Sequence, residues 1–230
     1  MFLTHKVISN TVLNRKFNLI KLRSLNPDLF AFKAGQFVSV KVGDNIFRSY
    51  SISSGPSQLP HWDIFVDITP GGPGTTYLKS LKRNQTIETS KPIGNFLLNK
   101  RFKNYIFGAT GCGIAPFVPM IRELIQTKGK NTVLIWGLRS ENDIPRINFF
   151  KTHKKAGQYL FPNIILSKPT KKWSGNTGHV NSHIIKACLD LPKSNTCIYL
   201  SGSNDFVISI KKQLLKLKRP SRVIFHEACY

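Results

Sequence analysis

Residues 106–118 constrain the fold most, because three glycines join a strand pattern to a helix pattern there. The segment reads Ile-Phe-Gly-Ala-Thr-Gly-Cys-Gly-Ile-Ala-Pro-Phe-Val. A glycine turn of this kind brings the backbone close to a phosphate and directs the N-terminus of a helix toward it. The pattern G-x-G-x-x-G is nearly met by Gly111 and Gly113, but Pro116 stands in the third glycine's place. This departure argues against an ordinary Rossmann site and for another kind of dinucleotide site.

The first hundred residues have the pattern of a β domain. Short stretches rich in β-branched and aromatic residues alternate with turn residues, which is typical of strands with tight connections. One helix is predicted, over residues 75–81. Strands are predicted over 7–8, 17–22, 36–42 and 64–68, and another ends at 46–47. We therefore predict a small antiparallel β-barrel domain over residues 1–100.

After residue 103 the pattern changes to alternating strands and helices. Alternation with short connections is typical of parallel βαβ units. Residues 101–230 are therefore predicted to form an α/β domain with a parallel sheet. The predicted strands are 104–108, 132–137, 163–167, 196–200 and 222–226, and the predicted helices are 114–127, 144–155, 180–189 and 205–217.

The charge of the chain is its outstanding compositional feature. The 230 residues carry a formal net charge of +23, and a field of that sign attracts acidic partners. Apart from Phe102, the clusters of Lys and Arg have no interleaved aromatic residues, so a nucleic-acid platform is not indicated. A solvated, lysine-rich surface remains an alternative. The clusters are 100–103, 151–155, 168–172 and 211–222.

Cysteine and histidine spacing gives no metal-site signature. The four cysteines, at 112, 188, 197 and 229, form neither a C-x-x-C pair nor a plant-type iron–sulfur pattern. We expect thiols in a reducing cytoplasm. Cys112 has no nearby His partner and is interpreted as a small packed residue. His179 and His183 have the i, i+4 spacing of a helical metal pair but no third ligand. Neither a signal-peptide core nor a membrane-spanning stretch is predicted.

Two segments of the β half have the composition of an anion site. In Arg48-Ser49-Tyr50-Ser51, an extended backbone places Arg48 and Tyr50 on one face and Ser51 on the other. Arginine can pair bidentately with a diphosphate, and a tyrosine ring can lie against a planar ligand. The glycine-rich run 71–76 precedes the predicted helix, and consecutive amides there form an anion-binding concavity. A surface arginine beside a strand tyrosine, and a hairpin loop, are the structural alternatives.

Together these motifs resemble the ferredoxin–NADP reductase superfamily, including its bacterial members and the related NAD(P)H–flavin reductases. The family pattern R-x-Y-S matches Arg48, Tyr50 and Ser51, and G-x-x-[ST] matches Gly72 and Thr75. The pattern T-G-x-G-x-x-P matches Thr110, Gly111, Gly113 and Pro116. The pattern S-[RK] followed by W-x-G-x-x-G-x-V matches Ser167, Lys168, Trp173, Gly175, Gly178 and Val180, and [CS]-G matches Ser201 and Gly202. Five ordered motifs are far more specific than any single one.

The resemblance implies an FAD-binding barrel followed by an NAD(P)-binding α/β domain. The FAD group would be Arg48, Ser49, Tyr50, Ser51, Gly72, Gly74, Thr75 and the terminal Tyr230. The NADP group would be Thr110, Gly111, Gly113, Pro116, Ser167, Lys168 and Gly202. NAD(P)H would pass a hydride to flavin N5, which Ser51 would approach. Ser51, Glu227 and Tyr230 would be the catalytic set, with the aromatic ring of Tyr230 covering the flavin.

The predicted function is electron transfer between NADP(H) and a small acidic carrier, either ferredoxin or flavodoxin. Lys168, Lys171 and Lys172 favour NADPH, because its 2′-phosphate favours cations; NADH stays possible. A flavin reductase or an oxygenase reductase component is the alternative. A nucleotide-binding electron-transfer subunit without turnover, or a basic nucleic-acid module, is a further one. The protein is expected to be a monomer.

Overall fold

The computed structural model describes residues 2–147 and 162–229, and these residues form two compact units. The first unit comprises the chain up to Leu98, together with residues 115–120 and 145–147. The rest of the described chain forms the second unit. The helix predicted over 144–155 falls mostly outside the described residues, as do the basic cluster 151–155 and Tyr230.

Twelve strands and four α-helices make up the described residues. The strands are β1 (Phe2–Val12), β2 (Phe17–Ser24), β3 (Phe37–Gly43), β4 (Ile46–Ser51), β5 (His61–Asp67), β6 (Thr86–Ser90), β7 (Asn104–Thr110), β8 (Asn131–Leu138), β9 (Asn163–Leu166), β10 (Asn176–Thr177), β11 (Thr196–Gly202) and β12 (Ile224–Ala228). The helices are α1 (Pro73–Ser80), α2 (Phe117–Ile125), α3 (Val180–Asp190) and α4 (Asn204–Lys216).

The first unit is an antiparallel sheet that curls toward closure. Its strand order is β4-β3-β6-β1-β2-β5, and every pairing in it is antiparallel. An antiparallel bridge between Ile52, just after β4, and Ile64 in β5 links the two ends of this order. The inward side chains pack around Trp62, which is fully buried. The predicted antiparallel β domain is confirmed.

A buried histidine connects three strands of this core. The indole N–H of Trp62 donates to Nδ1 of His5 at 3.1 Å, and Nε2 of His5 lies 2.9 Å from the hydroxyl oxygen of Thr89. The Thr89 hydroxyl donates in turn to the carbonyl of Ser90. This chain assigns the proton of a neutral imidazole to Nε2, because Nδ1 must accept from Trp62. Every polar atom of His5 is therefore satisfied only while the ring is neutral.

The second unit is a parallel sheet of order β10-β9-β8-β7-β11-β12, with every pairing parallel. The chain adds strands outward on one side, from β7 to β8 and β9, and then crosses to the other side of β7 for β11. The order therefore reverses between β7 and β11, and in open α/β sheets ligands bind at such a switch point, outside the carboxyl ends of the strands. The predicted α/β parallel-sheet domain is confirmed.

Glycines and aromatic rings set how the second unit packs. A Cβ at Gly108 in β7 would overlap the side chain of Ile184 in α3, so the glycine lets this helix approach the sheet. Four rings form a stacked row along neighbouring strands: Tyr105, Phe107, Tyr199 and Phe225. The Tyr199 hydroxyl accepts a hydrogen bond from the backbone N–H of Asn99 at 2.7 Å. The row fixes the order of β7, β11 and β12 through direct ring contacts.

The elements differ from the sequence prediction at a few places. The strand β6 was not predicted, because Thr86–Ser90 contains a single apolar residue, Ile87. The first helix of the second half begins at Phe117 and not at Ile114, because residues Gly111–Ile114 form a 3₁₀ turn. The other predicted elements within the described residues overlap the observed ones, but β1, predicted over 7–8, runs from Phe2 to Val12, and the two-residue strand β10 was not predicted. Among the described helices, none combines the length and apolar character that crossing a bilayer requires.

Burial lowers the pKa of His5 from 6.5 to about 4, and this shift predicts acid sensitivity of the first unit. Below its unfolded pKa, His5 binds protons in the unfolded chain but not in the folded one, so stability falls as the pH drops from 6.5 toward 4. The free energy of unfolding should lose ~3 kcal/mol over this window. Urea unfolding at a series of pH values measures the slope.

Two variants test the assignment of this slope. His61→Gln removes an exposed imidazole and should leave the slope unchanged. His5→Asn should be less stable at pH 7, because the Trp62 N–H loses its acceptor, but its slope between pH 6.5 and 4 should be clearly shallower. Equal slopes in the wild type and His5→Asn would contradict the buried neutral imidazole.

Candidate cofactor and nucleotide sites

The strand β4 brings Arg48 and Tyr50 to one face. Arg48 is paired in register with Val40 of β3 and Tyr50 with Val38; the two-residue spacing places both side chains on the same side of the strand. Arg48 is exposed, and its guanidinium donates to the carbonyl of Phe47 at 2.8 Å. Tyr50 packs against the core of the first unit and keeps part of its surface exposed. The sequence prediction of a shared face for these two residues is confirmed.

The N-terminus of α1 lies directly against this pair. A Cβ placed on Gly74 would overlap the Tyr50 hydroxyl and would lie 2.9 Å from Cγ of Arg48. A Cβ on Gly71 or Gly72 would meet nothing within 4 Å. The helix start therefore touches Arg48 and Tyr50 through Gly74 and faces open space at the two preceding glycines.

The first turn of α1 presents backbone donors without a side-chain cap. Gly72 is the N-cap residue, Pro73 follows it, and the first turn contains no acidic residue. The Thr75 hydroxyl donates to the Gly72 carbonyl at 3.0 Å, so it bonds the turn itself and not the orphan amides. The positive end of the helix dipole and the unfilled N–H groups together favour an anion at this place. The predicted group Arg48, Tyr50, Gly72, Gly74 and Thr75 is thus brought together in the first unit.

Ser49 and Ser51 lie on the opposite face of β4, in register with Ser39 and Phe37 of β3. Ser49 is exposed and Ser51 is half-buried. After Ser51 the chain bends inward, and Ser53 and Ser54 are buried. The Ser54 hydroxyl accepts from the N–H of Asp63 at 2.9 Å, which fixes the end of β4 against β5.

In the second unit, the glycine turn packs on the backbone of β11 at the switch point. A Cβ on Gly113 would overlap the carbonyl of Ser201 and lie 2.7 Å from the N–H nitrogen of Gly202. Gly202 approaches the backbone nitrogen of Thr110 just as closely, since its Cβ would lie 3.0 Å away. The Thr110 hydroxyl accepts from the N–H of Ser203 at 3.2 Å. Only glycine fits at both places, which explains the two patterns T-G-x-G and [CS]-G together.

Backbone conformation and one tryptophan fix the shape of the turn. Gly111 has φ +52°, a left-handed value that glycine adopts without strain. The indole N–H of Trp136, in the neighbouring strand β8, donates to the Gly111 carbonyl at 2.9 Å. Pro116 is buried and stands directly before α2, where a missing N–H costs nothing. Trp136 was not predicted as a site residue, because its contact depends on strand pairing.

The carboxyl ends of β8 and β9 carry two cations. The N–H of Lys168 donates to the carbonyl of Arg139 at 2.7 Å, so these two residues are backbone neighbours across the sheet edge. Both Ser167 and Lys168 are exposed. Arg139 was not predicted as a site residue, because a cation directly after an apolar strand is a weak signal until the pairing of β8 with β9 places it beside Lys168. Arg139, Ser167 and Lys168 together can hold a second phosphate at this edge.

A carboxylate ties the loop that carries Lys168 to the end of β8. Oε1 of Glu141 accepts from both the hydroxyl and the N–H of Thr170, at 2.6 and 2.9 Å. The hydrogen bond from the Thr170 hydroxyl is the main cause that lowers the pKa of Glu141. Further along, a Cβ on Gly175 would overlap the ring of Trp173, and this contact explains the W-x-G spacing as a local fold.

The C-terminal segment reaches the same switch point through β12. Glu227 is paired with Ser201 of β11 and is half-buried. Tyr230, which the resemblance places over the flavin, lies outside the described residues. Cys112 and Cys229 lie in the second unit near Ser201, and Cys112 is half-exposed. The described residues contain no group of three or more His, Cys, Asp or Glu that could hold a metal ion.

Comparison with known families agrees with both halves of the chain. The family model described as oxidoreductase FAD-binding domain matches residues 4–97, and the one described as oxidoreductase NAD-binding domain matches residues 107–212. The chain belongs to the ferredoxin–NADP reductase superfamily. Membership supports FAD as cofactor and NADP(H) or NADH as nucleotide, and the resemblance drawn from the motifs is confirmed.

Individual members of the superfamily are similar over most of the chain. Ferredoxin–NADP reductase B of Sorangium cellulosum is 30% identical over 160 residues, covering 67% of this chain and 66% of that protein. NADH-cytochrome b5 reductase 1 of Laccaria bicolor is 28% identical over 203 residues, covering 84% of this chain and 65% of that protein. The crystal structure of an Amycolatopsis cytochrome P450 reductase has a TM-score of 0.87 at 22% identity, covering 99% of this chain and 69% of that one. The chain spans just under two thirds of the length of the two curated relatives.

Proposed function

We propose that this chain is an FAD-dependent oxidoreductase that transfers electrons between NADP(H) and a small acidic carrier protein, ferredoxin or flavodoxin. The observation that carries the proposal is the convergence of three groups in the first unit. The side chains of Arg48 and Tyr50 meet the uncapped start of α1 at Gly74, which lies against Cγ of Arg48 and the hydroxyl of Tyr50. This combination suits a ligand that joins a diphosphate to a planar ring system, as FAD does.

The residues of the first unit fit such a cofactor in a specific way. Arg48 and the amides of Gly74 and Thr75 would bind the diphosphate, because a guanidinium and helix N-terminal donors both pair with phosphate oxygens. Tyr50 would pack against the flavin ring. Ser51 would orient the ring edge by hydrogen bonding, which is its proposed catalytic role. Glu227 is proposed as a second catalytic residue. Tyr230 would cover the ring. Ser49 and Gly72 would line the same site.

The second unit would bind the nucleotide at its switch point. The amides of the turn Gly111–Gly113 would contact the dinucleotide phosphates, and Gly202, which packs closely against Thr110, would line the same site. FAD, when bound, supplies the redox chemistry by accepting a hydride from NAD(P)H; the protein binds and orients the reactants. We also propose domains of residues 1–100 and 101–230 and a monomeric state. The break between the compact units after Leu98 supports the boundary, although residues 115–120 and 145–147 group with the first unit.

Retention of FAD tests the first-unit site directly. The purified protein should be yellow, and adding NADPH without oxygen should bleach its flavin absorption. In Gly74→Ala the new methyl group would displace Tyr50 and Arg48, so flavin content should fall at least about tenfold. Absorption spectra of protein purified without added FAD measure both effects.

Gly43→Ala is the matched control for this experiment. Its Cβ would meet only ordinary contacts at 3.4 Å or more, all within the side chain of Ile46, so flavin content should match the wild type. A colourless wild type to which FAD does not bind, or full flavin content in Gly74→Ala, would reject the proposed site.

The cations at the ends of β8 and β9 predict a preference for NADPH. Arg139 and Lys168 would bind its 2′-phosphate, so Arg139→Ala and Lys168→Ala should each lower kcat/KM for NADPH about tenfold and leave that for NADH nearly unchanged. Lys128→Ala is the control, because Lys128 is exposed in the loop before β8, at the opposite edge of the sheet. A wild type that prefers NADH would reverse the proposed nucleotide.

The net charge of +23 supports an acidic electron acceptor. The second-order rate constant for reducing ferredoxin or flavodoxin should fall steeply between low and physiological ionic strength, because salt screens the attraction. The rate with a small neutral quinone should change little. The NADH-cytochrome b5 reductase relative keeps a haem protein as a second candidate acceptor. Faster turnover with free flavin than with any carrier protein would favour the flavin-reductase alternative.

A further inference from the structure

Two cysteines far apart in the sequence meet on one dipeptide of β11. Cys112 lies between Gly111, with its left-handed φ, and Gly113, which packs on the carbonyl of Ser201. The N–H of Cys229 donates to the carbonyl of Gly202 at 2.7 Å. The backbone around Ser201–Gly202 therefore holds both cysteines in fixed positions, one from the nucleotide turn and one from the end of the chain.

The side chains of the two cysteines interact directly. The Cys229 sulfur lies 3.5 Å from the hydroxyl oxygen of Ser201, and its side chain interacts with that of Cys112. The hydrogen bond with Cys112 is the main cause that lowers the pKa of Cys229, against the opposing effect of burial. Near neutral pH, a larger fraction of Cys229 is consequently in the thiolate form than for an ordinary cysteine.

The other two cysteines differ from this pair in exposure, and from Cys229 also in the direction of their pKa shifts. Cys188 and Cys197 are buried, with 1% and 0% of their surface exposed. Burial raises the pKa of Cys188 to about 11 and that of Cys197 to about 12. Cys112 and Cys229 both retain partial exposure. Hydroperoxides should therefore reach Cys112 and Cys229 and leave the two buried thiols unreacted.

We propose that Cys112 and Cys229 form a reversible disulfide when the protein meets a hydroperoxide, and that this bond weakens nucleotide binding at the glycine turn. The Cys229 thiolate attacks the peroxide oxygen and becomes a sulfenic acid, releasing water or an alcohol. The Cys112 thiol then attacks the sulfenic sulfur, which forms the disulfide bond and releases a molecule of water. The two thiols together lose two electrons, which reduce one peroxide, and a dithiol reverses the reaction.

The expected effect on binding follows from the position of Cys112, and this part rests on the proposed function of the turn. A covalent bond requires the two sulfur atoms to approach more closely than a hydrogen bond does. Cys112 must therefore be drawn toward Cys229, and because Gly113 already packs against the Ser201 carbonyl, the turn has to change its conformation to follow. A shift of the donors away from the phosphates should weaken NADP⁺ binding about tenfold or more.

Mass spectrometry of the oxidised full-length protein tests the disulfide. The protein is treated with a small excess of hydrogen peroxide, quenched, unfolded in iodoacetamide and digested. The expected result is a peptide pair cross-linked through Cys112 and Cys229, with Cys188 and Cys197 alkylated as internal controls. Cys112→Ser should yield no cross-link. In this variant the sulfenic acid formed on Cys229 should persist and react with dimedone. Full alkylation of all four cysteines in the treated wild type would overturn the proposal.

Calorimetric titration with NADP⁺ tests the consequence. The oxidised wild type should bind about tenfold more weakly than the reduced protein, and dithiothreitol should restore the affinity. Peroxide-treated Cys112→Ser should show no such loss. A cross-linked protein with unchanged affinity would overturn the proposed regulation. A reduced protein that binds neither NADP⁺ nor NADH would instead reject the proposed nucleotide site, whatever the cysteines do.

Discussion

The second unit depends on one steric constraint, the contact between the turn after β7 and the backbone of β11. No side chain fits at Gly113, since its Cβ would overlap the Ser201 carbonyl, and Gly202 approaches Thr110 with similar closeness. The sheet order reverses between these two strands, so both turns lie at the edge where the connecting helices diverge. Backbone amides are then presented at the switch point without side chains in front of them. The shape of the site therefore depends on the missing Cβ atoms of Gly113 and Gly202. A substitution at either glycine should disturb both the fold and the site.

In the first unit, by contrast, the candidate site lies on a strand at the end of the sheet order. The strand β4 pairs with β3 on one side, while the sheet closes only at the bridge between Ile52 and Ile64. An edge strand offers unpaired backbone groups that a ligand can use, provided that the remainder of the sheet is rigid. The hydrogen-bonded chain from Trp62 through His5 to Thr89 supplies such rigidity, because it joins β5, β1 and β6 inside the core.

The sequence sufficed for the fold class and for most elements, because periodicity and glycine patterns are local. The strand β6 was missed because a five-residue stretch with Ile87 as its one apolar residue has little local signal; its position between β3 and β1 is a non-local property. Cys112 was interpreted as a small packed residue, whereas it is half-exposed and interacts with Cys229, 117 positions later. Arg139 became a candidate only when the pairing of β8 with β9 placed it beside Lys168. Contacts between distant segments were thus the part that pattern reasoning could not supply.

The large positive charge acts outside the fold and not within it. The chain has 34 Lys and Arg against 11 Asp and Glu, so internal pairing can neutralise only a minority of the cations. The ion pairs between described residues, such as Lys41–Glu88 at 3.2 Å, lie on the surface, where such pairs contribute ~0–1 kcal/mol each. Apolar packing and glycine contacts therefore determine the fold, and the excess cations remain in solvent. Their field extends about 8 Å at physiological ionic strength, which is too short to bind a distant partner but sufficient to orient an acidic one at encounter. A charge of this kind should affect the rate of association with a carrier more than the stability of either unit.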